Sequence, residues 1–81
     1  MRNYLQRLFE SEGTTFTEYV TQQRLARAYR TLSDPRLLDR TVTAIAFDVG
    51  FGNLSYFNRL FRRAYGATPS DVRAAALGNA S

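Results

Sequence analysis

Apolar residues recur at helical spacing twice between Thr41 and Gly66, and a glycine separates the two runs. Val42, Ile45, Ala46 and Val49 share one face when successive residues are set about 100° apart. Phe57, Leu60, Phe61 and Ala64 do the same, with Tyr65 at the edge of their face. The pattern predicts a helix over about 42–49 and a second ending near Tyr65, each burying one side only. Thr41 suits the N-cap of the first. Ala46 is small enough for the second helix to pack close to it. Gly50 stands where the chain must turn, because positive φ costs glycine little, and Phe51 can fill the corner. Two short helices joined in this way form a helix-turn-helix.

The outer face of the second helix is basic. Ser55, Arg59 and Arg62 lie opposite the apolar stripe, flanked by Asn58 and Arg63. No acidic residue occurs between Asp48 and Asp71. A helix-turn-helix of the DNA-binding kind puts its second helix in the major groove, with the N-terminal residues on base edges. Arginine pairs there with guanine, asparagine with adenine, and serine with several bases. Arg62 and Arg63, further along, are placed for phosphate, which gives affinity rather than sequence choice. A basic amphipathic helix is also what an ordinary solvated helix looks like. The preceding helix, with Ala46 and Gly50 in register, favours the DNA reading.

Composition narrows the alternatives. The chain has 81 residues, enough for one small domain. A hydrophobic share of 44% argues for a folded core rather than disorder. There is no cysteine and no histidine. That excludes disulfides and thiolate metal sites, and it removes the commonest general base and neutral metal ligand. Asp34, Asp39, Asp48 and Asp71 read as caps and surface charges, with no pair in a catalytic spacing, so neither an enzyme nor a cofactor is expected. No apolar run is long enough to span a bilayer and no secretory signal is evident, so the expectation is a cytoplasmic protein away from the membrane. Net charge is +4, and all eleven basic residues are arginine. Codon bias in a GC-rich genome accounts for the choice of arginine; the local clustering of charge is the more telling feature.

The rest of the chain is also helical in pattern, which makes the fold class all-α. Arg2 to Glu12 has an apolar face of Leu5, Leu8 and Phe9 with Tyr4 beside it, while Asn3, Gln6, Arg7 and Glu10 face the other way; Gly13 ends it. Thr15-Phe-Thr-Glu18 is a capping box. It opens a long helix to about Leu32, with Phe16, Val20, Leu25, Ala28 and Leu32 on its buried side and Tyr19 and Tyr29 as packing residues. Asp34-Pro35 breaks this helix, and Leu37 and Leu38 anchor the short segment that follows. Thr68-Pro-Ser-Asp71 opens a last helix through about Leu77, with 78–81 as a frayed tail. Tyr4-Leu-Gln-Arg-Leu-Phe9 echoes Phe57-Asn-Arg-Leu-Phe61, which suggests two recognition helices joined by the long one.

These motifs together resemble the C-terminal DNA-binding domain of the AraC/XylS family of bacterial transcriptional regulators. The resemblance runs from about Tyr4 to Arg73. It is carried by Tyr4 to Phe9 with Gly13, by Phe16, Tyr19 and Arg24-Leu-Ala-Arg-Ala28, and by Ile45-Ala-Phe-Asp-Val-Gly-Phe51, Tyr56-Phe-Asn-Arg-Leu-Phe61 and Gly66-Ala-Thr-Pro-Ser70. It implies a helix-turn-helix bundle in which a connecting helix (15–33) bridges two subdomains, the remnant of a first motif (1–13) and a complete second (41–66), followed by a C-terminal helix (68–77). The implied base-reading positions are Leu54, Ser55, Asn58 and Arg59 in the second motif, and Asn3, Gln6 and Arg7 in the first. Arg24 has a structural role on this reading, in an ion pair or at a helix end, and Phe47 and Phe51 belong to the core. The implied partners are double-stranded DNA and RNA polymerase. The family domain normally starts with further helices ahead of Met1, so the first motif is expected to be incomplete. Its apolar face of Leu5, Leu8 and Phe9 then lacks cover, and the alternative to DNA binding is a fragment that self-associates or binds a protein through that face.

Overall fold

Threonines open three of the helices. The computed structural model of the chain describes residues 15–80, and side chains over 15–78. Thr15 Oγ1 accepts from the Glu18 amide at 3.0 Å and starts α1, Phe16–Ser33. Thr41 Oγ1 accepts from the Ala44 amide at 3.0 Å and starts α2, Val42–Asp48. Thr68 Oγ1 accepts from the Asp71 amide at 3.1 Å, while Asp71 Oδ2 accepts from the Thr68 amide at 3.2 Å; this reciprocal box starts α4, Pro69–Ala80. Between α2 and α4 lies α3, Leu54–Tyr65. A single 3-10 turn, Pro35–Leu37, links α1 to α2, and Asp34 caps it through the Arg36 amide. All the described elements are helical; there is no strand among them.

The α2–α3 corner closes as a Schellman motif. Gly50 donates to the Phe47 carbonyl and Phe51 to the Ala46 carbonyl, each at 3.0 Å. Gly50 has φ +108°, a value that side chains disfavour. Phe51 turns inward and is buried, filling the corner. At the other end of α3, Gly66 adopts the left-handed conformation and donates to the Arg62 carbonyl at 2.8 Å.

One core joins the four helices. It contains Leu25, Ala28 and Leu32 of α1, Ile45, Ala46 and Val49 of the α2 segment, Phe51, Phe57 and Phe61, and Val72 of α4. Phe57 and Phe61 are its largest fully buried side chains. They meet at 5.7 Å between ring centroids, and Phe51 adds a ring 5.1 Å from Phe57. Tyr29 stacks on Phe61 at 6.0 Å and touches Tyr65 at 4.8 Å, so its packing role holds. α1 packs against α4 and α2, and α3 against α2 and α4.

Four expectations need correction. Phe47 is 51% exposed and is not a core residue. It sits two positions from Ile45, about 200° round the helix, so it points away from the stripe that Ile45, Ala46 and Val49 bury. Phe16 is exposed and Val20 only half-buried. The buried residues of α1 all lie at or after Leu25, where the other described helices pack. Ala64 is likewise exposed at the rim of the α3 stripe. The last helix continues to Ala80, through Gly78, rather than fraying after Leu77. A lone glycine weakens a helix by about 1 kcal/mol relative to alanine without ending it.

Long-range polar contacts centre on Arg73. From α4 its Nε donates to the Leu32 carbonyl at 3.3 Å, and Nη1 donates to the carbonyls of Leu38 and Arg40 at 3.1 and 2.6 Å. One side chain thus ties the end of α1 and the 3-10 connection to the last helix. Arg40 itself pairs with Asp48.

Truncating Phe61 to alanine is expected to destabilise the domain by about 3–5 kcal/mol in urea unfolding, because the site lies at the centre of the core. Gly50→Ala is expected to cost about 1–2 kcal/mol through backbone strain; the added Cβ would also sit 3.1 Å from Arg24 Nε, a flexible tip that can move. Acid acts through Asp34. Hydrogen bonds from the Arg36 side chain and amide lower its pKa from 3.8 to about 2. Its stabilising contribution is therefore complete above 3.8 and is lost as pH falls through about 2. Thermal melts across that window should show a falling Tm, and Asp34→Asn should flatten the fall.

Candidate nucleic-acid interface

The outer side of α3 is assembled by its inner side. With Phe57 and Phe61 buried, the helical period turns Ser55, Asn58, Arg59, Arg62 and Arg63 outward, and all five are exposed. Arg62 and Arg63 occupy the last turn of α3, where positive charge also complements the carbonyl end of the helix. Asn58, Arg59, Arg62, Arg63 and Thr68 line one shallow open depression on this face. The structure therefore brings five of the expected DNA-facing residues of the second motif onto one surface. Leu54 departs from them. It opens the helix but is half-buried, leaning on the core.

Asn53 sets where this helix begins. Its side-chain oxygen accepts from the Tyr56 amide at 2.8 Å. Asn53 lies outside the set expected from the sequence, although asparagine is among the preferred cap residues. Tyr56, also outside the expected set, is 46% exposed on the flank of the helix. The Arg59 guanidinium lies 5.5 Å from the centre of its ring.

Carboxylates stand only at the margins of this surface: Glu18 of α1 lines a depression with Arg63, and Asp71 opens α4. The described ion pairs are Arg36–Asp34 and Arg40–Asp48, both away from α3. Asp71 feels the charge of Arg62. Its pKa is lowered, first by the Thr68 amide and hydroxyl and only last by the charge of Arg62. It is thus engaged mainly in capping α4.

Arg24, on α1, reaches toward Gly50, just past the end of α2. That is the helix-end placement expected of it, with no ion pair to Arg24 among those described. Asn3, Gln6 and Arg7, and the Leu5, Leu8 and Phe9 face, lie outside the described residues. No group of histidine, cysteine or carboxylate side chains suited to a metal ion occurs among the described residues. No described helix is long and apolar enough to cross a membrane.

Comparison with known proteins gives this geometry a context. A family model described as a helix-turn-helix domain matches residues 1–75. The chain is 46% identical over 69 residues to the transcriptional activator RhrA of Rhizobium meliloti, covering 85% of this chain and 22% of that protein. It is 41% identical over 71 residues to the regulatory protein SoxS of Salmonella typhimurium, covering 86% and 64%. It is 37% identical over 73 residues to the HTH-type transcriptional activator RhaS of Klebsiella pneumoniae, covering 90% and 25%. The chain thus spans between about a fifth and two thirds of the length of these relatives. No solved structure gives a significant match.

Replacing Asn53 with alanine should remove the α3 cap and cost about 1 kcal/mol, read as a lower Tm, with glycine at the same position costing less.

Proposed function

We infer a mode of action from the premise that these matches establish: the chain belongs to the AraC/XylS family of helix-turn-helix transcriptional regulators. Its function is DNA-binding transcription regulation. The finer reading is that α3 enters the major groove of double-stranded DNA and reads sequence there. The observation that carries it is the division of α3 into a buried Phe57 and Phe61 side and an outer side of Ser55, Asn58, Arg59, Arg62 and Arg63 free of carboxylates.

Roles follow from position along the helix. Ser55, Asn58 and Arg59 lie in its first half, which such motifs point at base edges. Arg59 suits guanine and Asn58 adenine. Leu54, half-buried, offers only an apolar edge, of the kind that meets a thymine methyl. Arg62 and Arg63 are the phosphate contacts. Asn3, Gln6 and Arg7 are proposed as a second reader, acting on the same side of the duplex one helical turn, about 34 Å, away. RNA polymerase is the further partner on this reading, since RhrA and RhaS are named as transcriptional activators. The cytoplasm, where bacterial DNA lies, is the place of action.

Binding of the chain to a randomised duplex pool, followed by sequencing of the bound fraction at several salt concentrations, tests this. The expected result is an enriched motif together with a steep loss of affinity as salt rises. Arg59→Ala should relax preference at one position, by about 1–3 kcal/mol of lost discrimination. Arg62→Ala should weaken binding to all sequences alike and reduce the salt slope by about 1. Salt-sensitive binding with no enriched motif would overturn the sequence-reading part of the proposal.

A further inference from the structure

Arg59 is the one arginine of the α3 face held by a described aromatic ring. Among the described residues no ion pair or hydrogen bond engages it, and its guanidinium carbon stands 5.5 Å from the Tyr56 ring centre. A cation within about 6 Å of a ring face is attracted by the ring's quadrupole. The two residues are three apart on the helix, the spacing at which side chains meet. The ring is itself braced. Its centre lies 6.4 Å from that of Phe51, which is buried and packs on Phe57. The Tyr56 amide is bound by the Asn53 cap at 2.8 Å, so the backbone beneath the ring is fixed as well. A chain of contacts therefore runs from the core corner, through Phe51 and Tyr56, to the Arg59 guanidinium.

We propose that Tyr56 is a specificity-determining positioning residue, whose ring holds Arg59 over itself and so presents the guanidinium edge to a base. The inference rests on the reading of α3 as a major-groove helix. A guanidinium lying over a ring keeps its edge donors free for a bidentate pair with a guanine, while one face is shielded from water. An arginine so restrained loses less side-chain freedom on binding than one that sweeps through solvent. Arg62 and Arg63 have no described ring partner, as befits phosphate contacts that tolerate several geometries. The ring, not the hydroxyl, carries the effect.

The test uses the whole chain and the duplex motif recovered from the pool, with single-base variants at the position that Arg59→Ala relaxes. Tyr56→Leu and Tyr56→Gln should each lower discrimination at that position about two- to fivefold, the range of an exposed cation–π contact. The salt slope should stay unchanged. Tyr56→Phe should retain full discrimination, and in an Arg59→Ala background Tyr56→Leu should have no further effect on it. Circular dichroism confirms helix content for each variant, and the glutamine variant guards against association through an exposed leucine. Unchanged discrimination in both Tyr56→Leu and Tyr56→Gln, with Arg59→Ala still relaxing preference, would overturn the proposal while leaving α3 as the reader. Equal losses for Tyr56→Phe and Tyr56→Leu would overturn it in favour of the hydroxyl. An Arg59→Ala variant with intact preference would remove both the base-reading role of Arg59 and this inference.

Discussion

The guanidinium of Arg73 leaves α4 and gathers the carbonyls of Leu32, Leu38 and Arg40, which lie between 33 and 41 residues earlier in the chain. These oxygens sit at the end of α1 and in the connection that follows, where backbone acceptors have no helical partner of their own. Bonds from a charged donor to such groups contribute about 1.5–3 kcal/mol each before the cost of ordering the side chain. More follows than local stability. The connection ends at Thr41, the cap of α2, and α2 is the support against which α3 packs. The placement of α3 thus depends, through two intervening elements, on one side chain of the last helix.

Phe51 links this scaffold to the outer surface. Its amide closes the Schellman turn after α2, its ring fills the corner beside Phe57, and its other side braces Tyr56. The exposed face of α3 is consequently not an independent layer laid over a core. The geometry of its first turn is continuous with the packing beneath it. Arg62 and Arg63 lie beyond the reach of this bracing, at the C-terminal end of the helix, where electrostatic attraction acts without tight aim.

What could be read from sequence follows the range of each interaction. The caps at Thr15, Thr41 and Thr68 and the turn at Gly50 involve residues at most five apart, and their residue types declare them. The outward set of Ser55, Asn58, Arg59, Arg62 and Arg63 was equally legible, because a single helical period fixes it once Phe57 and Phe61 are placed inside. Arg73 was not. Its partners are backbone carbonyls, which every residue carries, so nothing in their identity marks them. Asn53 and Tyr56 were obscured differently: the cap depends on the residue at which α3 starts, which the helical period leaves open, and the ring contact on the path of the Arg59 side chain. Phe47 shows the opposite error. Apolar character put it in the core, although its angular position on α2 already pointed outward.

The brevity of α2 has a dynamic consequence. Seven residues are too few to persist as a helix in water, since forming the first turn costs more than such a length returns. Its amides are therefore shielded from exchange with solvent only while the whole core is assembled. Local opening of α2 and global unfolding become one event, without a low-energy state in which α3 stands unsupported. A duplex that binds only the assembled form must protect amides at Ile45 and Val49, which face the interior, as strongly as those of α3 itself. Slowed hydrogen exchange deep beneath the interface would then report the strength of DNA binding on its surface.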